Sequence, residues 1–355
     1  MVASEETRTR LLAHCAAYPR LLLRDLFKYI FQSAFGCEHL FSSEADAIAY
    51  IRREHEAAPK GGGAGPEPLD GAYGRLPLSV LDEGLSPETL GRLFCLSAGR
   101  EENGKAALLE KIEVARRLVA EGLLPFSPDA FERELAAWQD AGFPPVRHTE
   151  AFREAYAPAY RVIGREYLRF LPLLTAIDRA MKKGRTVVAI EGGSAGGKTT
   201  LSEMLSNIYD CTILHMDDFF LRPEQRTPAR LAEVGGNIDR ERFACEVIPP
   251  LCRGERIVYR SFDCGEQALG APIAVEPKPL TVVEGVYSTH PAFPRYYDLS
   301  AFLDIDPEYQ KKRIERRNTP ALAKRFFEEW IPMENLYFER TDIRSRADLL
   351  IPIRE

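Results

Sequence analysis

Residues 186–201 read Thr-Val-Val-Ala-Ile-Glu-Gly-Gly-Ser-Ala-Gly-Gly-Lys-Thr-Thr-Leu. Gly192, Gly197, Lys198 and Thr199 satisfy the spacing GxxxxGK[ST]. Glycines at these places let consecutive backbone N–H groups turn inward around an anion. A helix beginning at Lys198 would add its positive end to the same anion. The Lys198 ammonium can reach outer phosphates, and the Thr199 hydroxyl can hold a magnesium ion. The whole segment Gly192, Gly193, Ser194, Ala195, Gly196, Gly197, Lys198, Thr199 and Thr200 is therefore the expected nucleotide cradle. GTPases usually add Asn-Lys-x-Asp and transporter ATPases Leu-Ser-Gly-Gly-Gln, and the chain has neither.

Further along, Leu214-His215-Met216-Asp217-Asp218-Phe219-Phe220 places two carboxylates after a short apolar run. Phosphoryl transfer to an alcohol needs a carboxylate that orients the hydroxyl and accepts its proton. Asp217 is taken for that role, although residue chemistry alone barely separates it from Asp218. Leu280–Val283 runs into Glu284, where a second magnesium contact is expected. Asp306-Pro307 opens a helix carrying Lys311, Lys312, Arg313, Arg316 and Arg317. Arg313 and Arg317 share a face and are expected to close over the phosphates; a solvated charge run is the plainer alternative. Asp239 is read either as a helix cap or as a partner for an acceptor hydroxyl. Tyr259, Arg260 and Asp263 lie in a polar, aromatic stretch suited to a small ligand, or to a structured loop.

These residues need elements to hold them. After Gly184, short β-branched runs alternate with helical stretches: Thr186–Ile190, Thr212–His215, Leu280–Val283, Ala301–Ile305 and Leu349–Ile353. That alternation predicts an α/β fold with a mostly parallel sheet flanked by helices. Open sheets of this kind bind ligands at the carboxyl ends of their strands, where Gly192, Asp217 and Glu284 would lie. The preceding part reads as mainly α-helical. Leu108, Ile112, Ala115 and Val119 give a buried helical face over 105–121. Ser127-Pro128 starts a helix and Gly142 stops one. A helix over 160–182 is expected from Ile163, Tyr167, Phe170, Leu174, Ile177 and Met181, and residues 61–66 read as a flexible loop. The chain is accordingly divided into 1–155, a helical domain of unknown role, and 156–355, the nucleotide-binding domain.

Together the residues carry a resemblance. Gly192–Thr200, Asp217-Asp218-Phe219-Phe220, Asn237-Ile238-Asp239, Tyr259–Cys264, Glu284-Gly285 and Asp304-Ile305-Asp306 resemble the uridine kinase and phosphoribulokinase family of P-loop kinases over 184–355. The resemblance implies ATP and Mg²⁺ as cofactors, Asp217 as catalytic base, and Thr199 and Glu284 at the metal. It also implies Asp239 at the acceptor's hydroxyls, with Arg313, Arg316 and Arg317 in a lid. The acceptor is then a nucleoside, sugar, polyol, or a pantothenate-like or glycerate-like alcohol. Uridine kinases carry a histidine in the stretch matching Tyr259–Cys264; here Arg260 and Asp263 stand in that region. Nucleoside-specific members also lack the long N-terminal part. A nucleotide-dependent switch whose first domain binds a partner is the rival reading.

Composition sets the outer limits. A formal charge of −6 gives the whole protein no pull toward nucleic acid or acidic membrane. Seven cysteines without CxxC spacing suggest neither a disulfide framework nor a zinc ribbon. Cys37, Glu38, His39 and His148 have no metal-ligand spacing. Polar residues after Met1 and the lack of a long apolar run suggest a cytoplasmic protein. The expected partner is a small hydroxyl acceptor, and a homo-oligomer is left open. Glu334–Glu339 resembles an engineered protease site but reads as native helix surface.

Overall fold

The computed structural model describes residues 2–36, 43–58, 65–98 and 104–354. Most of the 61–66 loop, and Cys37, Glu38 and His39, lie outside them. The chain divides into two compact units, Met1–Leu171 and Pro172–Glu355.

The first unit is mainly helical. Helices Leu23–Phe35, Gly104–Ala120 and Pro128–Asp140 bury Leu26, Ile30, Leu108, Ile112, Ala115 and Phe131 together. Ser127 caps the third of these, its side chain accepting from the Ala130 N–H. The unit also contains an antiparallel sheet that helical periodicity did not predict. Its strands are β1 (Glu67–Pro68), β2 (Tyr73–Pro77) and β3 (Tyr160–Gly164), in that order. The expected helix over 160–182 is thus broken. Tyr160–Gly164 pairs with β2 from Tyr73↔Gly164 to Pro77↔Tyr160, because β2 offers an open edge to a strand-favouring Tyr-Arg-Val-Ile run. Pro172 cannot continue a helix from the residues before it, so a fresh helix, Leu171–Met181, begins there. Arg75 on β2 is buried between the rings of Tyr29 and Tyr160 and donates to Gln32 and Glu67. His148 bonds Asp25 and the Tyr160 hydroxyl and stacks on Phe152, the environment of a structural imidazole.

The second unit holds β4 (Thr186–Gly192), β5 (Cys211–His215), β6 (Ile257–Asp263), β7 (Ala268–Val275), β8 (Leu280–Glu284), β9 (Leu299–Ile305) and β10 (Leu349–Ile353). Five form one parallel sheet in the order β10-β9-β4-β8-β5. Every residue of β4 is buried. This is the continuous apolar run expected of a parallel strand covered on both faces. Val188 and Ile190 are fully buried, each contributing roughly 1.5–3 kcal/mol by burial. The chain leaves β4 toward β5 on one side, and returns through β8 to β9 on the other. β4 is therefore the topological switch point, with its carboxyl end at Gly192. β6 and β7 form a separate antiparallel hairpin with an irregularity between Arg260 and Phe262. Apolar patterning does not predict this hairpin, because β7 is largely exposed and includes Gly270 and Pro272.

Candidate active site

The phosphate loop is set by backbone geometry. Gly192 ends β4 at φ 143°, and a Cβ there would lie 2.7 Å from the Leu303 carbonyl oxygen of β9. Neither feature accepts a side chain. Gly197, at φ 95°, delivers the chain into the helix Lys198–Ile208. No side chain caps that helix, so its first N–H groups are left for a ligand. The Lys198 ammonium folds over the loop and donates to the carbonyls of Gly192 (2.8 Å) and Gly193 (3.1 Å).

Beside the loop, the Thr199 hydroxyl donates to Glu284 Oε1 at 3.2 Å, and His215 Nδ1 lies 2.6 Å from the same oxygen. The bond to Glu284 raises the His215 pKa, against the effect of burial. The segment after Glu284 must pass close to β5. Gly285 has φ 142°, and a Cβ on it would meet Met216 at 2.6 Å. A hydroxyl and a carboxylate oxygen suit a hard divalent cation. Among the described residues no group of three or more His, Cys, Asp or Glu is placed to hold an ion. The Thr199 hydroxyl and Glu284 carboxylate are the kind of oxygens that would suit Mg²⁺, which would need further oxygens to complete its shell.

The two neighbouring aspartates have different surroundings. Asp218 is committed to the fold: Tyr259 donates to one oxygen at 2.8 Å and Ser261 to the other at 2.5 Å. Arg242 adds a bond to its backbone carbonyl. Asp217 lines the cleft with Lys198 and Glu284, and no described residue donates a hydrogen bond to its carboxylate. Solvent reaches the residue, yet the protein packed around it raises its pKa. Lys198 opposes that shift, and the charge of Glu284 adds to it.

The other expected ligands are less well placed. Asp239 is buried and caps Arg240–Glu246, accepting from the Arg242 N–H while Gln225 and the Arg242 side chain occupy its second oxygen. Tyr259 is buried and spends its hydroxyl on Asp218. Arg260 is exposed on β6, and Asp263 ties the hairpin turn through the N–H groups of Gly265 and Glu266. None of the four side chains lines the cleft. Arg313 approaches the loop, its guanidinium 3.5 Å from where a Gly197 Cβ would be, and Arg317 lines the cleft. Arg316 is exposed.

Two carboxylates escaped the sequence reading. Glu191, just before the loop, is 1% exposed. It accepts from the N–H groups of Gly192, Tyr287 and Thr289 and the hydroxyls of Thr289 and Tyr337. Burial lifts its pKa to about 7 against those bonds and Lys198. Its place inside a buried strand was the available signal. Glu334 lies in the helix Ile331–Thr341 and accepts from both the N–H and the hydroxyl of Ser194. The segment 334–339 is helical as expected, with Asn335, Leu336 and Glu339 exposed, but the expectation of surface fails at Glu334 and Tyr337. Glu334 and Tyr337 are buried and attach this helix to the phosphate loop. Gln310 donates to the Ser194 carbonyl at 2.7 Å, so the residue is gripped from two helices.

These elements enclose a cleft of about 1190 Å³. The phosphate loop and helix start form one wall. Residues 220–238 and the β6–β7 hairpin form another, and residues 317–334 supply a third.

No protein-family model matches the chain, and no curated protein does. Solved structures do. A possible uridine kinase from Bacillus stearothermophilus aligns at 20% identity over 51% of this chain and 99% of its own, with a TM-score of 0.39. A protein provisionally named as a fructose transport system kinase, from Silicibacter sp. TM1040, aligns at 22% identity over 47% and 89%, TM-score 0.37. The YGR205w protein aligns at 12% identity over 52% and 94%, TM-score 0.38. The aligned share is about half of this chain. The α/β P-loop architecture of the second unit stands on its own strand order and loop geometry.

Proposed function

We propose that the second unit is an ATP-dependent kinase that transfers the γ-phosphoryl group to a hydroxyl of a small acceptor. The observation that carries this reading is Asp217: a carboxylate left without a protein donor, in the same cleft as the phosphate loop and Lys198. A module that only binds nucleotide has no use for it, whereas transfer to an alcohol needs a carboxylate that orients the hydroxyl.

The loop amides from Gly193 to Thr200 would hold the β- and γ-phosphates, with Lys198 exchanging its two loop carbonyls for phosphate oxygens. Thr199 and Glu284 would hold Mg²⁺, which supplies charge neutralisation of the phosphate oxygens when bound. Asp217 orients the acceptor hydroxyl and takes its proton as the new O–P bond forms and the bond from the γ-phosphorus to the bridging oxygen breaks, releasing ADP. Its raised pKa brings it nearer the range in which it can accept that proton. Arg313 and Arg317 would offset the charge spreading over the transferring group. Such catalysis rests on positioning and electrostatics. The site for this activity is the cytoplasm, where ATP is supplied.

The test is ATP consumption by the full chain across a panel of alcohols, with products identified by mass spectrometry. Stimulation by an acceptor that gains one phosphoryl group supports the reading. Hydrolysis that no acceptor stimulates overturns it in favour of a switch.

A further inference from the structure

The cleft wall formed by residues 220–238 and the β6–β7 hairpin is almost entirely uncharged. Phe220, Leu221, Leu231, Ile238 and Phe262 give it an apolar surface. Arg226 is the exception, the one charged side chain among the described residues that this wall turns to the cleft.

Its surroundings hold it in place without neutralising it. Arg226 Nε donates to the Leu221 carbonyl at 3.0 Å, and one terminal nitrogen donates to Gln267 Oε1 at 2.8 Å. The guanidinium lies over the Phe262 ring, 5.4 Å from its centroid. All these partners are neutral. Nearby arginines are different: Arg222 pairs with Glu224, Arg230 with Glu241, Arg240 with Glu233 and Arg242 with Asp239. Among the described residues no carboxylate lies within ion-pairing distance of Arg226. A guanidinium fixed by neutral contacts keeps a planar pair of donors for a carboxylate or phosphate. Asp217, Phe220 and Arg226 line the same cleft, so a molecule whose hydroxyl meets Asp217 would be able to extend along this wall to Arg226.

We propose that the acceptor carries an anionic group, a carboxylate or a phosphate, in addition to the hydroxyl that is phosphorylated, and that Arg226 binds that group. This rests on the kinase reading and narrows its acceptor class. Arg226 is exposed to solvent, so a neutral nucleoside or free sugar would leave it hydrated, whereas a hydroxy acid or sugar phosphate would pair with it. Arg226 is a specificity residue, at the far end of the substrate from the reacting oxygen.

The experiment uses the full chain with ATP and Mg²⁺ and matched acceptor pairs. Hydroxy acids are set against their amides, and polyol phosphates against free polyols, so that the two arms separate carboxylate from phosphate. The expected result is transfer to the anionic member of one arm, with kcat/KM well above its neutral partner. In Arg226→Gln the KM for that acceptor should rise about tenfold to a hundredfold, the range for a lost charge-assisted hydrogen bond. Arg226→Lys should recover part of the loss, and ATP affinity, read with a fluorescent analogue, checks that the fold is intact. Efficient transfer to neutral acceptors alone, or an unchanged KM in Arg226→Gln, overturns this inference and keeps the kinase reading. Transfer to nothing in the panel overturns both.

Discussion

Replacing Glu191 by glutamine should change how stability depends on pH. Glu191 is almost wholly buried at the end of β4, and its pKa stands at about 7 against 4.5 for an exposed glutamate. Between those values the folded state binds a proton that the unfolded state releases. Stability from this group is therefore full below pH 4.5 and is lost as pH rises through 7. A shift of that size corresponds to about 3 kcal/mol, since each pH unit is worth 1.36 kcal/mol. Glutamine cannot titrate, so the difference between native protein and Glu191→Gln should narrow by about that amount between pH 5 and pH 8. The variant also turns an amide toward donors that now meet a carboxylate, which should cost it about 1–3 kcal/mol throughout. Urea unfolding at several pH values gives the comparison. In a Trp138→Phe background, Trp330 is the remaining tryptophan and reports on the second unit. A native-minus-variant difference that stays constant from pH 5 to pH 8 would show that Glu191 does not titrate in that range. It would mean that the five donors around Glu191 keep it ionised throughout.

Other substitutions separate the parts of the site. Glu334→Ala removes the acceptor for the Ser194 N–H and hydroxyl. ATP should then bind about tenfold more weakly by calorimetry, the effect of roughly 1.4 kcal/mol, and unchanged affinity would mean the loop is held without it. Asp218→Asn disturbs bonds from Tyr259 and Ser261 and should lower stability by about 1–2 kcal/mol. It should cost far less turnover than the same change at Asp217; the reverse order in initial rates would exchange the two roles.

The nucleotide side was legible because its physics is local. The phosphate loop needs glycine at positions with positive φ and close backbone approach, and Gly192 and Gly197 declare that need in the sequence. The five strands of the parallel sheet were also visible, since burial on both faces demands apolar runs such as Thr186–Ile190. What was lost depended on partners distant in sequence. Tyr160–Gly164 carries apolar spacing compatible with a helix and becomes a strand only because β2 is there to receive it. Tyr259 and Asp239 had the chemistry of ligand groups but are used by Asp218 and by a helix start. Glu334 is a lone carboxylate with no local signature of burial, and only the fold brings it to Ser194, 140 positions earlier in the chain. Arg226 was passed over because a single arginine among several has no signature until its neighbours are seen to be paired and it is not.

In the proposed reaction Asp217 receives the acceptor's proton during phosphoryl transfer. The most direct test is the Asp217→Asn protein, measured for both ATP affinity and the rate of acceptor phosphorylation. ATP affinity should stay close to native while turnover falls by about 10²–10⁴-fold, the range for loss of a positioned general base. Turnover near the native rate, with ATP still bound, would contradict it.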